Sequence, residues 1–311
     1  MNRRAGLLLA GLLLVGGVAG GVVLAVRAAR QPPPPPPGAR FPDPEGMAVG
    51  PDGRLYVADE DTRALYVLAP EGATIVRVDH HADLPDGLVT RGGSLVVTAP
   101  WRVLAVRNHD LVELDLLATP PRVLARHGGP GTAIGPFHGL EDVALGDDGL
   151  IYTAEEDIQA VRSFRREGAG LVEVRRRAMP EEPESVHVRA GRLYVCFPKA
   201  DWVGCYDLAT EALLWRTPSS GPGRVRVPDD VVVGPDGLVY VSDQRNDRVA
   251  VFDADGGFVR AFGQTGSGPG ELRRPEDLGF GPDGALWVAD SLNYRLQAFD
   301  PRTGAPLRVV R

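Results

Sequence analysis

Six acidic side chains recur at matched places along the chain: Glu45, Asp86, Glu141, Glu184, Asp229 and Glu276. Each stands just before a short apolar run, and three are followed at once by an aspartate, at Asp142, Asp230 and Asp277. Carboxylates gathered at one point repel, which raises their pKa values or calls for a cation. Calcium suits such a set, since it takes about six to eight oxygen ligands and tolerates irregular geometry. The column is therefore a candidate divalent-cation site, with solvated turn acids as the ordinary alternative.

Other residue types could add chemistry. His138, in "FHGLEDV", stands three residues before Glu141, where an imidazole beside a carboxylate could act as a general base or metal ligand. His187 falls where the other runs carry Ala48, Val89, Ala144, Val232 and Gly279, so it either reaches a channel or fills packing space. His80 and His81, with Asp83, have metal-ligand composition, but neighbours in a strand point to opposite faces. Cys196 and Cys205 align with Ala289 and Ala298 on a hairpin, which leaves a disulfide and two buried thiols both open. There is no phosphate-binding loop, dinucleotide turn or nucleophile elbow.

The elements that must position these residues are short and repeated. Turn glycines fall at Gly53, Gly93, Gly149, Gly191, Gly237 and Gly284, at intervals of 40, 56, 42, 46 and 47 residues. In the first unit "GMAVG" reads as an inner strand, "PDG" as a turn, and "RLYVAD", "RALYVL" and "TIVRV" as three more strands. A four-stranded unit of this length is a propeller blade. The sequence predicts an all-β, six-bladed β-propeller of four-stranded antiparallel blades over 41–311, its inner strands converging on one axis and the six acids near one mouth of the channel.

The last two units, "DDVVVGPDGLVYVSDQRNDRVAVF" and "EDLGFGPDGALWVADSLNYRLQAF", joined by "FGQTGSGPGELRRPEDL", resemble consecutive NHL repeats, down to Asp243 with Asn246 and Asp290 with Asn293. That resemblance implies a six-bladed propeller used as a binding or scaffold module. Asp243 and Asp290, at the end of a second strand, read as structural, because Asp there bonds nearby backbone amides. The equivalents in the middle units read as Ala99, Glu155 and Phe197. The acid column is also similar to that of calcium-dependent lactonases and gluconolactonase-like propellers, though their paired Asn ligands are missing. "FHGLEDVALGDDGLIY" looks faintly like quinone-dependent sugar dehydrogenases, in which a histidine takes the sugar's proton. An enzyme using the same mouth is thus the alternative to a binder.

Ahead of the repeats, Ala5 to Val26 is an apolar run of 22 residues. At ~1.5 Å per residue it reaches roughly 33 Å, enough to cross a bilayer core. Residues 1–30 therefore read as a membrane anchor or a signal segment, and 31–40, with six consecutive prolines from Pro32 to Pro37, as a stiff linker. The expected location is membrane-anchored with the propeller outside the cytoplasm, or secreted after cleavage. The net charge of −7 lacks the field that draws in phosphate backbones, so no nucleic-acid partner is expected. The chain reads as a monomer whose partners are a membrane and a protein or small-molecule ligand. The basic run Arg175-Arg176-Arg177, with Arg165-Arg166, reads as a solvated outer strand, or else as a docking patch for an anionic partner.

Overall fold

Valine, tyrosine and leucine runs punctuated by Pro-Asp-Gly fold here as short antiparallel strands. In the computed structural model the described residues are 35–79, 94–99, 102–107, 110–118, 121–128 and 134–311. The apolar run 5–26, Asp86, Val89, Gly93 and the His80, His81 and Asp83 group lie outside them. Among the described residues no helix is long and apolar enough to cross a membrane.

The described strands form six four-stranded sheets, each built from four strands consecutive in sequence. The innermost strands are Pro44–Val49, Leu95–Ala99, Leu140–Leu145, Val186–Arg189, Pro228–Val233 and Pro275–Phe280. Neighbouring blades meet through these strands all the way around, including the last against the first. Six apolar clusters lie one between each pair of blades, which is why both faces of a blade are apolar. Among the described residues no strand is swapped to close the ring. Closure comes from Phe41, Met47 and Leu55 of blade 1 packing on Trp287, Leu296 and Val310 of blade 6.

The turn glycines do what their spacing implied. Gly53, Gly149, Gly237 and Gly284 have φ of 78° to 80°, the left-handed region that a side chain resists. The aspartate before each accepts the amide two residues ahead of itself, as Asp236 does from Leu238 at 3.1 Å.

Blade 2 corrects the sequence reading. Its innermost strand is Leu95–Ala99, which pairs with Arg102–Arg107, so the turn falls between Ala99 and Arg102 and not at Gly93. Ala99 therefore ends the innermost strand and not the second one, which ends at Arg107; Asp86 lies outside the described residues. The "RGGS" stretch imitates the turn of the other blades, and both flanking runs are apolar enough to be strands. The uneven intervals carried the warning: a turn after Ala99 evens 40 and 56 to about 47 and 49 residues.

The second-strand acids bind the chain that leads into the innermost strand. Asp243 accepts the amide of Arg226 at 2.7 Å and the side chains of Asn246 and Arg248. Asp290 accepts the amide of Arg273 at 2.7 Å, Asn293, and the fully buried Arg295 and Gln297. Glu155 performs the same task in blade 3, accepting the His138 amide at 2.9 Å and the buried Arg162. The departure from Asp there conserves the function. Asp290→Ala would leave Arg295 buried without its carboxylate, a loss of about 3–5 kcal/mol. Urea denaturation should show a clearly lowered midpoint, and an unchanged one would refute this role.

The basic run is solvated and paired. Arg175 and Arg177 reach Glu211, Arg176 meets Glu173, and Arg177 also lies over Tyr206. Arg165 and Arg166 pair with Glu167 and Glu113. As an ion-paired outer strand it offers little uncompensated charge to an anionic partner.

Cys196 and Cys205 are both buried and unbridged. On the hairpin they stand diagonally and not opposite: Cys196 faces Val203 and Cys205 faces Tyr194. Diagonal positions lie roughly 7–8 Å apart, beyond the usual span of a disulfide. Burial raises both thiols, Cys205 to about 11, which leaves them protonated and poorly nucleophilic. A thiol reagent should modify neither in the native protein and both after denaturation; rapid native labelling would contradict this packing.

Candidate functional site

In three blades the innermost strand opens with a β-bulge: the pairing slips between Pro44 and Gly46, between Pro228 and Val231, and between Pro275 and Leu278. In blade 3 the matching slip lies opposite Glu141. A bulge re-aims side chains at a strand end. Here it carries the acid column, so Glu45, Glu141, Asp229 and Glu276 are held by backbone geometry, while Glu184 stands just before its strand.

The column and the aspartates that follow it do different work. Asp142 accepts the Val143 amide at 2.6 Å, the Ser94 hydroxyl, and the Val186 amide of blade 4 at 2.7 Å. Asp230 accepts the Val231 amide and the Leu278 amide of blade 6, at 2.7 and 2.9 Å. Asp277 accepts the Met47 amide of blade 1 at 2.7 Å. These three are stitches between successive innermost strands, and they line the central cavity. The sequence reading had them only as extra oxygens for a cation.

Among the described residues the closest gathering of acids at the mouth is on blade 1. Carboxylate oxygens of Asp43, Glu45 and Glu60 all lie within 4.8 Å of one another. Burial raises Glu45 to about 9, with Glu60 and Asp43 adding repulsion. Glu276 is 3% exposed; Arg274 holds one of its oxygens at 2.9 Å, and the other is buried with no hydrogen-bond partner. Burial first, then Asp229, Glu45 and Asp43, push its pKa well up, against the pull of Arg274. Asp229 is raised to about 7 by burial and Asp230, and it accepts from Gln244 at 3.1 Å. Glu184 is raised to about 8 by burial and Asp229, in the neighbourhood of Glu156 and of Lys199, which pairs with Glu156 and Glu182.

Asp43 and Glu60 were missed by the sequence reading. Asp43 lies two residues before Glu45, and Glu60 directly follows the second strand; only the fold brings them together. Three carboxylates this close, Asp43, Glu45 and Glu60, suit a divalent cation with oxygen ligands; Glu276 lies outside that group. His138 does not join them: its imidazole is exposed and its amide is spent on Glu155. His187 lines the central cavity, at a position of small or aliphatic residues, and does not fill a blade interior.

The raised acids set a pH dependence. They keep protons in the folded state that the unfolded chain, with ordinary carboxyls, gives up. Their contribution to stability is complete below about pH 4 and is lost as pH rises through their folded values, about 7 for Asp229, 8 for Glu184 and 9 for Glu45. In chelator the melting temperature should fall steadily from pH 5 to pH 9. A flat profile would mean that these carboxyls are already compensated.

A family profile described as a 6-bladed beta-propeller matches residues 230–307. No curated protein matches the chain. Among solved structures it is similar to a streptogramin B lyase, at 13% identity and a TM-score of 0.59 over 81% of this chain and 92% of that one. It is similar to a catalytically inactive virginiamycin B lyase from Staphylococcus aureus with quinupristin, at 12% and 0.58 over 86% and 84%. An auxiliary nutrient binding protein from Bacteroides thetaiotaomicron gives 13% and 0.59 over 82% and 68%. Likeness at these identities shows the fold alone. The chain is a six-bladed β-propeller.

Proposed function

We propose that this protein is a binding propeller, held outside the cytoplasm by the apolar run 5–26, whose acid mouth receives a divalent cation, calcium by preference. The observation that carries the reading is the Asp43, Glu45 and Glu60 group, whose carboxylate oxygens lie within 4.8 Å of one another and in which burial, together with that repulsion, pushes Glu45 up to about 9. Repulsion among these carboxylates costs free energy in the free protein, and a cation among them removes that cost. Blade loops around the mouth then form the recognition surface. The nutrient-binding relative agrees with such a role; the lyases share the architecture.

Millimolar calcium should raise the melting temperature by about 3–6 °C at pH 8, in line with ligand linkage for a domain of this size. Glu45→Gln combined with Glu60→Gln should abolish the rise and leave the fold intact by circular dichroism. No shift with calcium, magnesium or manganese would overturn the cation site. The sequence of the mature N-terminus, together with carbonate extraction of membranes, tests the anchor.

A further inference from the structure

Below the mouth, the central cavity has a volume of about 270 Å³ and three kinds of lining. At its acid end stand Asp142, Asp230 and Asp277. The middle is a ring of small or aliphatic side chains, Ala48, Val96, Ala144 and Val232, interrupted by Gly279 and by His187. Val49 of blade 1 fills the place a side chain at Gly279 would take, since a Cβ there would meet it at 2.8 Å. Among the described residues His187 contributes the one imidazole of the lining, and its Nε2 is shielded from solvent without a hydrogen-bond partner. Arg189, at the far rim, is already engaged with the Val233 carbonyl at 3.3 Å.

Each wall asks for a different part of a ligand. The aspartates spend oxygens on backbone amides but keep lone-pair capacity; burial, and for Asp230 and Asp277 also repulsion within the set, raises all three, Asp230 to about 7, so an ammonium among them would relieve that repulsion and hold them ionised. The aliphatic ring favours a hydrocarbon body, which an inorganic ion would leave unused. The imidazole needs a hydroxyl, to which Nε2 can donate or from which it can accept. His187 stands two strand positions beyond the aspartate level, a separation of about 6.6 Å along the axis.

We propose that the central cavity binds a small amino alcohol, its ammonium among Asp142, Asp230 and Asp277, its chain against the Val96 and Val232 ring, and its hydroxyl on His187. Burial lowers the imidazole to about 4, which keeps it neutral and so compatible with a cationic guest at neutral pH. The site is separate from the cation group at the mouth and does not require it.

The test is titration calorimetry at pH 8 with 5-amino-1-pentanol, against pentylamine, which lacks the hydroxyl, and 1-pentanol, which lacks the ammonium. The amino alcohol should bind one to one, at least tenfold more tightly than either control. His187→Val, which copies the aliphatic choice of blade 5 and leaves the stitches alone, should remove the advantage over pentylamine and leave pentylamine binding unchanged. Asp230→Asn should weaken both amines tenfold or more, and its melting curve shows whether the fold survives; if it does not, the His187→Val comparison decides. Glu45→Gln with Glu60→Gln should leave amino alcohol binding intact, so this proposal and the cation site fail independently. Absence of binding at 10 mM, or equal affinity for 1-pentanol, overturns it.

Discussion

The hydrogen bonds that the amides of Val186, Leu278 and Met47 donate to Asp142, Asp230 and Asp277 are the constraint on which the rest of the molecule depends. Apolar packing between blades is strong but slides easily, because one valine face resembles another. A carboxylate accepting a specific amide fixes the axial register of one innermost strand against a later one. The price is buried charge around a narrow axis, and that same charge makes the channel chemically distinctive.

Structure and recognition are therefore drawn from one set of groups. The bulge that turns each aspartate toward the neighbouring strand leaves the preceding acid at the mouth, where no amide awaits it. Arg274 offsets part of this excess for Glu276, and Gln244 takes the matching place beside Asp229, where Glu60 stands beside Glu45. The blades are thus not equivalent at the mouth: neutral or cationic partners soften the acids in blades 4, 5 and 6, and the closest group of like charges is left on blade 1.

Much of this was legible in the sequence. The Pro-Asp-Gly turns and the alternation of blades 1, 5 and 6 declare a propeller, since the turn needs glycine at positive φ and both blade faces must be covered. Blade 2 was misaligned because "RGGS" satisfies the same turn chemistry and only pairing partners decide between two apolar runs. The acid column was visible as a repeat, but the division of labour between adjacent acids was not, because it depends on which amide each oxygen meets across a blade boundary. Asp43 and Glu60 join Glu45 from separate segments, a proximity with no periodic trace. For His187, a lone imidazole in an aliphatic column was the available signal, and strand direction settled where it points.

Ring closure without an exchanged strand has a kinetic consequence. The seam bonds Asp277 to Met47 and Ser291 to Asp43 across 230 and 248 residues of sequence. Within a blade, pairings are local and can form early; the seam requires all six blades to be stacked before its two sides meet. Non-local contacts of this kind slow folding. The acid mouth lies on that seam, so a ligand there would act as a clasp on the step that completes the fold, and its effect should appear in the rate of opening more than in the rate of blade formation.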